Sequence, residues 1–144
     1  MLEYISLALT AWFIGFFPFF EIYIAIPAAM VLGLDPVSSV LWAVLGNFLP
    51  IPLIAFFYDF LAKFERINRY LSKLANSKYK AKIEKHGPIF VIFLTPLIGS
   101  WAVGVIGYAI GMKKFQLFIS SAISILIYGI IIAILTHLGI DFLN

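Results

Sequence analysis

The stretch FPFFEIYIAIPAAM, residues 17–30, decides the fold because it places an acidic residue, Glu21, between Pro18 and Pro27 in an otherwise apolar run. A proline in a helix interior removes a backbone hydrogen bond and kinks or breaks the helix. The stretch therefore predicts a broken apolar segment with a carboxylate beside the break. Broken backbone at membrane depth must face protein or a water-filled cavity, because lipid offers no hydrogen bonds.

The composition is typical of an integral membrane protein. Hydrophobic residues make up 63% of the 144 residues, charged residues make up 12%, and the mean hydropathy is +1.06. Three charge-free runs are each long enough to cross roughly 30 Å of hydrocarbon as a helix; they cover residues 36–58, 87–112 and 115–136. A fourth apolar region, residues 4–34, carries Glu21 as its one charge. The lack of cysteine excludes disulfides and thiolate metal sites.

Basic residues concentrate in residues 61–87, which contain eight of the ten lysines and arginines: Lys63, Arg66, Arg69, Lys73, Lys78, Lys80, Lys82 and Lys85. Because cytoplasmic loops carry an excess of lysine and arginine, this segment is predicted to be cytoplasmic. Apolar residues between the basic ones recur at spacings of three and four, which is typical of an amphipathic helix at the lipid headgroups; they are Phe60, Phe64, Ile67, Leu71 and Leu74. The predicted partner is membrane lipid and not a nucleic acid.

Two halves of the chain share a spacing pattern that is typical of a duplication. Pro18 and Gly33 are 15 residues apart, as are Pro96 and Gly111, and the two pairs are offset by 78 residues. With the same offset, the uncharged stretch that follows residue 36 falls on the one that follows residue 114. The pattern predicts two related units.

Lys113 and Lys114 indicate the topology. If residues 88–112 crossed the membrane completely from the cytoplasm, both lysines would emerge outside, against the positive-inside bias. A re-entrant hairpin that turns near residues 95–100 returns them to the cytoplasm, and residues 115–136 then cross outward. In the first half, residues 36–58 run inward to the basic segment. An equivalent hairpin around Pro18 then enters from the outer face, and both termini lie outside.

The predicted fold class is an all-α membrane protein with an inverted repeat of two units, each a re-entrant helical hairpin followed by a transmembrane helix. The repeats cover about residues 1–60 and 88–140 of a single integral membrane domain, residues 1–144, and the cytoplasmic amphipathic helix in residues 61–87 joins them. Many transporters use such repeats to place broken helices at the membrane midplane, where the hairpin tips would meet. Two alternatives stay open: one long helix over residues 4–34 kinked at its prolines, and a small-residue packing face in GSWAVGVIG, residues 99–107.

Glu21 is the main candidate for proton or substrate binding. An ionised carboxylate at the centre of a membrane helix costs on the order of 2.5–3.5 kcal/mol, so it persists where it is neutralised, solvated or used. No lysine or arginine precedes position 63, and none lies in residues 87–112, so the predicted core offers no basic partner. The carboxyl group is then protonated, hydrated in a cavity or open to a cation. The structural alternative is a cap for N–H groups at the hairpin tip.

Four further residues complete the candidate binding set: Asn47, Thr95, Ser100 and Trp101. Asn47 would donate to carbonyls freed by the prolines in its helix, bind Glu21 or join two helices. The other three lie at the second predicted tip, whose N–H groups could bind an anion or substrate oxygen or could be closely packed. The structural set at hairpins and helix breaks comprises Pro18, Pro27, Gly46, Pro50, Pro52, Pro96, Gly99 and Gly104.

Three segments resemble a known family: FFEIYIAIP at residues 19–27, LGNFLPIP at 45–52 and KHGPIFVIFLTPLIGSWAVGVIGYAIGM at 85–112. They are similar to the small multidrug export proteins, a family distantly similar to the DedA membrane proteins, and the likeness covers nearly the whole chain. The DedA resemblance implies two re-entrant hairpins in an inverted repeat and a link to lipid translocation and proton-dependent transport. DedA proteins carry arginines three residues to either side of the second hairpin's proline, where this chain has Phe93 and Gly99.

The predicted function is a small membrane transporter that exports a small cationic or polar solute in a proton-coupled manner through a site at the hairpin tips. The alternatives are a lipid flippase or scramblase, and a non-transporting membrane assembly or scaffold protein. The chain contains no catalytic motif, so no enzyme activity, cofactor or metal is predicted. A chain of this length has little room to enclose a pathway alone, which makes a homodimer a reasonable hypothesis.

Overall fold

The computed structural model describes residues 1–143, with side chains through Phe142, and the regular secondary structure of these residues is helical. The helices, in chain order, are α1 Leu2–Phe16, α2 Glu21–Val31, α3 Pro36–Phe48, α4 Pro50–Leu61, α5 Glu65–Ala75, α6 Lys80–His86, α7 Pro88–Ile98, α8 Ser100–Ala109 and α9 Lys114–Leu143. The chain divides into two compact units. Unit 1 comprises Met1–Leu49 with the C-terminal stretch from Ile125, and unit 2 comprises Pro50–Ser124.

Two helical stretches of the described chain are long and apolar enough to cross a membrane. One is Pro36–Leu61, 26 residues, which α3 and α4 form with Leu49 between them, and the other is Lys114–Phe142, 29 residues. The interruption at Leu49 falls directly before Pro50, which has no N–H to donate. The other apolar helices, α1, α2, α7 and α8, have 15, 11, 11 and 10 residues. At about 15–22 Å, each is shorter than the hydrocarbon layer.

In unit 1, α1 packs parallel to α3. The hydroxyl oxygens of Tyr4 and Ser38 lie 3.1 Å apart near the N-terminal ends of the two helices. At their C-terminal ends, Asn47 Nδ2 donates to the carbonyl oxygen of Gly15 at 3.0 Å. Since Asn47 lies close to the middle of the apolar stretch Pro36–Leu61, α1 ends at the level of the middle of that stretch.

Glycines let the backbones of α1 and α3 touch. A Cβ atom at Gly46 would lie 2.0 Å from the carbonyl oxygen of Trp12. A Cβ atom at Gly15 would lie 2.5 Å from the carbonyl oxygen of Ala43. Small residues at crossings of membrane helices permit this close approach, so the predicted structural role of Gly46 has a direct physical basis.

α2 returns along α1 after the turn at residues 17–20. Ala11 of α1 packs with Ala29 of α2 and with Leu34, so the two helices are antiparallel. α2 is closed by Gly33, whose φ is 105°, and by the Leu34 N–H, which donates to Ala29 O at 3.0 Å. Residues 4–34 thus form a packed helix pair and not one long kinked helix.

In unit 2, α8 runs parallel to α4 and is buried along most of its length. A Cβ atom at Gly104 would lie 3.3 Å from Ile51 Cα. Further along both helices, the rings of Tyr108 and Tyr58 stack at 4.3 Å, and the Tyr108 hydroxyl donates to Asp59 at 3.2 Å. The first residue of α8 therefore lies toward the N-terminal end of α4, and its last residues lie toward the basic segment.

Pro96 interrupts the hydrogen bonding inside α7. It has no N–H, so the carbonyl of Ile92 four residues earlier loses its intrahelical donor. Ser124 of α9 replaces that donor, because its Oγ donates to Ile92 O at 2.6 Å. After α7, Gly99 alone connects to α8, with φ 89° and ψ 159°.

The basic segment contains two helices, α5 and α6, where the sequence predicts one. The break follows Ala75, where Asn76 and Ser77 are poor helix formers that favour turns. Leu71 of α5 is fully buried against unit 2 residues Ile54 and Val105, so part of the predicted lipid-facing stripe belongs to the protein core. The aromatic residues at the start of the stripe, Phe60 and Phe64, are exposed.

The order of helices recurs at the predicted offset of 78 residues. α2 corresponds to α8, and each is followed by a left-handed glycine, Gly33 with φ 105° and Gly111 with φ 70°. In both places the N–H after the glycine donates to the carbonyl five residues earlier, at 3.0 Å and 2.9 Å. The next helices, α3 and α9, begin at Pro36 and Lys114, which are also 78 residues apart.

Candidate functional site

Glu21 is the first residue of α2 and has a left-handed backbone. Its φ is 51°, and within residues 1–143 it is the one non-glycine residue with a positive φ. A residue with a side chain pays roughly 1–2 kcal/mol for this conformation. Its partly buried side chain lies at the N-terminal end of the helix, where the helix dipole favours negative charge. Strained backbone of this kind is concentrated at functional positions.

Aromatic rings surround the turn that precedes Glu21. The ring of Phe17 lies 5.8 Å from that of Phe13, 6.3 Å from that of Phe19 and 5.8 Å from that of Phe20. Phe19 is 74% exposed, as expected for an apolar ring that faces lipid. The carboxylate therefore follows an apolar turn that supplies no cation.

Asn47 is buried, and its amide nitrogen is engaged with Gly15 O. Gly15 lies in the last turn of α1, where carbonyl groups have no intrahelical donor. Of the sequence alternatives for Asn47, the structure favours the joining of two helices. Its role in substrate binding stays a prediction.

At the second turn, Thr95 lies in the last turn of α7, Gly99 connects the two helices, and Ser100 and Trp101 begin α8. Thr95 Oγ1 donates to Val91 O at 2.6 Å within α7. Ser100 is fully buried, and its Oγ has no hydrogen-bond partner among residues 1–143. Trp101 is partly buried and packs against the core of unit 2. Of the two hydroxyl groups, that of Ser100 is the one without a hydrogen-bond partner in the described part of the chain.

Sequence reasoning did not identify Ser124 as a partner of the second helix pair. Pro96 was the sequence feature that could have identified it. Because Pro96 has no N–H, the Ile92 carbonyl lacks its intrahelical donor, and a nearby side chain is expected to donate to it. Ser120, Ser121 and Ser124 are buried serines in the apolar helix α9, but sequence alone does not show which of them approaches α7.

The chain matches a known protein family. Residues 21–131 match the family described as "Putative small multi-drug export protein". The chain belongs to this family. The matched segment begins at Glu21, directly after the first turn, and includes the second turn at Gly99. Comparisons with curated proteins and with solved structures found no match. Family membership and the two apolar helices together place the protein in a membrane.

Proposed function

We propose that this family member is a proton-coupled exporter of a small cationic or polar solute, and that Glu21 is its proton- and solute-binding residue. The family description supports export. The observation that carries the role of Glu21 is its strained backbone: an acid occupies a left-handed position that a glycine would occupy without strain.

The proposed arrangement in the membrane is a pair of re-entrant hairpins that enter from opposite faces. In unit 1, the end of α1 lies beside Asn47, near the middle of the apolar stretch Pro36–Leu61. In unit 2, the C-terminal end of α8 lies beside Asp59, next to the basic segment that the positive-inside rule assigns to the cytoplasm. That contact supports the return of Lys113 and Lys114 to the cytoplasmic face, with both termini outside.

The chemistry of the proposed cycle needs one carboxyl group. A Glu21 carboxyl oxygen accepts a proton from one side of the membrane, which removes the cost of an ionised group in an apolar turn. Release of that proton leaves a carboxylate that attracts a cationic or hydrogen-bond-donating group of the solute. Proton and solute thus compete for the same oxygen atoms, and competition for one site couples their movements.

Flux into proteoliposomes tests the proposal. Glu21→Gln keeps the size of the side chain but cannot release a proton, so pH-gradient-dependent solute flux should fall to the background of empty liposomes. Glu3→Gln makes the same chemical change at an exposed residue in the first turn of α1 and serves as the matched control. The control should transport like the unchanged protein.

Three outcomes would contradict the proposal. Movement of a labelled phospholipid without any ion gradient would favour lipid translocation. Unchanged flux in Glu21→Gln would remove Glu21 from the mechanism, and loss of stability in that variant without flux of any solute or lipid in the unchanged protein would favour a scaffold.

A further inference from the structure

We infer that the first turn of α8 binds an anionic oxygen group, a carboxylate or a phosphate, through the Ser100 hydroxyl and the N–H groups of that turn. This inference deepens the proposed function and rests on it for the identity of the ligand as transported solute. It narrows the solute class to cationic or polar molecules that also carry an anionic oxygen.

The Ser100 hydroxyl differs from every other buried polar side chain in the described part of the chain. Seven such side chains are buried, and six donate to a backbone carbonyl oxygen: those of Ser39, Asn47, Thr95, Ser120, Ser121 and Ser124. Ser100 is 0% exposed and its Oγ has no protein partner within residues 1–143. Because a buried hydroxyl without a partner is costly, it calls for a reason such as a ligand.

The hydroxyl belongs to a helix N-terminus that its own side chains leave uncapped. The first N–H bond from α8 back to the turn is from Val103 to Gly99 O at 3.1 Å, so the N–H groups of Ser100 and Ala102 precede the helical ladder. Gly99 is the N-cap residue and has no side chain to accept a bond from them. Ser100 is the first residue of α8, so covalent geometry places its Oγ in the same turn.

The chemistry of this turn selects an oxyanion. N–H groups and a hydroxyl all donate, and the positive end of the helix dipole adds attraction for negative charge. No lysine or arginine lies in residues 87–112 to balance a highly charged ligand. Broken helices of membrane transporters direct their N-termini at anionic substrate groups in the same way.

A stability measurement on purified protein in detergent separates a ligand-binding hydroxyl from a structural one. Ser100→Ala loses no protein hydrogen bond and should unfold at the same temperature as the unchanged protein or a higher one. The matched variant Ser124→Ala loses its bond to Ile92 O and should unfold at a lower temperature. A drop for Ser100→Ala equal to that for Ser124→Ala would overturn the inference.

Anion binding gives the second arm. Acetate and inorganic phosphate, each compared with chloride at equal ionic strength, should raise the unfolding temperature of the unchanged protein and of Ser124→Ala. Ser100→Ala should bind the effective anion roughly tenfold more weakly, because a charge-assisted hydrogen bond is lost. Stabilisation by acetate alone identifies a carboxylate site, and stabilisation by phosphate alone identifies a phosphate site. No stabilisation by either, or equal stabilisation of Ser100→Ala, would overturn the inference.

The two proposals fail independently. Glu21→Gln should keep the anion-induced stabilisation, since Glu21 is not part of the α8 turn. If Glu21→Gln transports normally while Ser100→Ala loses anion binding, the proposed function fails and the anion site stands. If Ser100→Ala binds anions normally while Glu21→Gln stops proton-dependent flux, the anion site fails and the proposed function stands.

Discussion

In α1–α2 the chain turns through four residues and enters the second helix at Glu21, whereas in α7–α8 it turns at Gly99 alone. Glu21 and Gly99 are 78 residues apart, the offset that also relates the closing glycines Gly33 and Gly111. Both turn residues have a positive φ, 51° and 89°. The second pair meets this backbone requirement with a residue that has no side chain, and the first meets it with an acid. The backbone alone does not require an acid at position 21, so the reason for it lies in its chemistry.

The two helix pairs also share a supporting hydrogen bond. Asn47 donates to Gly15 O, and Ser124 donates to Ile92 O, and in both cases donor and acceptor are 32 residues apart. The acceptors differ in why they need a donor. Gly15 lies at the end of α1, whereas Ile92 loses its donor to Pro96. In each half, a side chain thus donates to a helix carbonyl that lacks an intrahelical donor, but the residues involved differ.

The largest predicted effect concerns the closest backbone contact. Gly46→Ala places a Cβ 2.0 Å from Trp12 O, so α1 must move away from α3. We expect a loss of about 3 kcal/mol in the free energy of unfolding, the upper part of the overpacking range. Gly104→Ala in unit 2 should cost less, because its Cβ would lie 3.3 Å from Ile51 Cα. Denaturant titration of each variant in detergent measures the difference.

Gly139→Ala is the control for this pair. Its Cβ would meet no atom within 4 Å, and it lies in α9, so the substitution should be neutral or stabilising by up to about 1 kcal/mol. A loss for Gly104→Ala as large as that for Gly46→Ala would contradict the ranking of the two contacts.

The second prediction concerns the residue with a positive φ in each helix pair, Gly99 and Glu21. Gly99→Ala forces a side chain into a backbone region that glycine almost alone adopts and should cost about 1–3 kcal/mol. Glu21→Gly relieves the strain of a left-handed residue and should stabilise the protein by up to about 1 kcal/mol while transport is lost. Unfolding titrations and flux assays on the same preparations measure both quantities.

If Glu21→Gly is more stable than the unchanged protein but does not transport, Glu21 is not a structural cap. A cap would lose stability when its carboxylate is removed. If Glu21→Gly unfolds more easily than the unchanged protein, the strain argument fails, and the difference between the two turns has a structural cause.

Much of the fold follows from simple sequence signals. The charge-free runs predict the two long apolar helices, and the spacing of Gly33 and Gly111 predicts two related helix ends. The two helices in the basic segment were predicted as one, because the continuous apolar stripe outweighed the turn-forming residues Asn76 and Ser77. The stripe around Leu71 also gives no sign that it packs on Ile54. A periodic stripe shows which side is apolar but not whether lipid or protein covers it.

The candidate site was predictable in part. The free-energy cost of placing a carboxylate in a membrane is enough to single out Glu21 from the sequence. Its left-handed φ depends on how the turn closes, and no residue type predicts that conformation. The difference between Thr95 and Ser100 was equally hidden, because two neighbouring hydroxyls look alike in sequence. Their hydrogen-bond partners are set by helix geometry, which gives Thr95 the carbonyl of Val91.

The third prediction tests the shared hydrogen bond. Asn47→Ala and Ser124→Ala each leave one backbone carbonyl without its donor, and each should cost about 1 kcal/mol, as is usual for side-chain bonds in membrane proteins. Denaturant titration should give losses of similar size. If Ser124→Ala were neutral while Asn47→Ala were costly, the two bonds would not have equivalent roles.

The smallest predicted effect concerns the N-terminus of the helix that follows each helix pair, α3 or α9. Asp35 is the N-cap of α3, and its Oδ1 accepts from the Ser38 N–H at 2.9 Å. Hydrogen bonding by Ser38 holds the pKa of Asp35 below its ordinary value. The equivalent position before α9 is Lys113, so acid should weaken the cap of α3 without a matching effect at α9. Asp35→Ala should cost about 0.5 kcal/mol near neutral pH.

The pH dependence has a defined sign. Since the folded pKa of Asp35 is lowered, its contribution to stability is complete above the ordinary aspartate pKa and is lost as the pH falls through the lowered value. Asp35→Asn retains a capping oxygen but does not titrate, so the stability difference between it and the unchanged protein should stay constant from about pH 7 to about pH 5 and shrink as the pH falls below the ordinary aspartate pKa of about 3.9. Thermal unfolding across that range measures the difference. A constant difference would show that Asp35 caps α3 without its charge, and the contrast with Lys113 would then have no electrostatic basis.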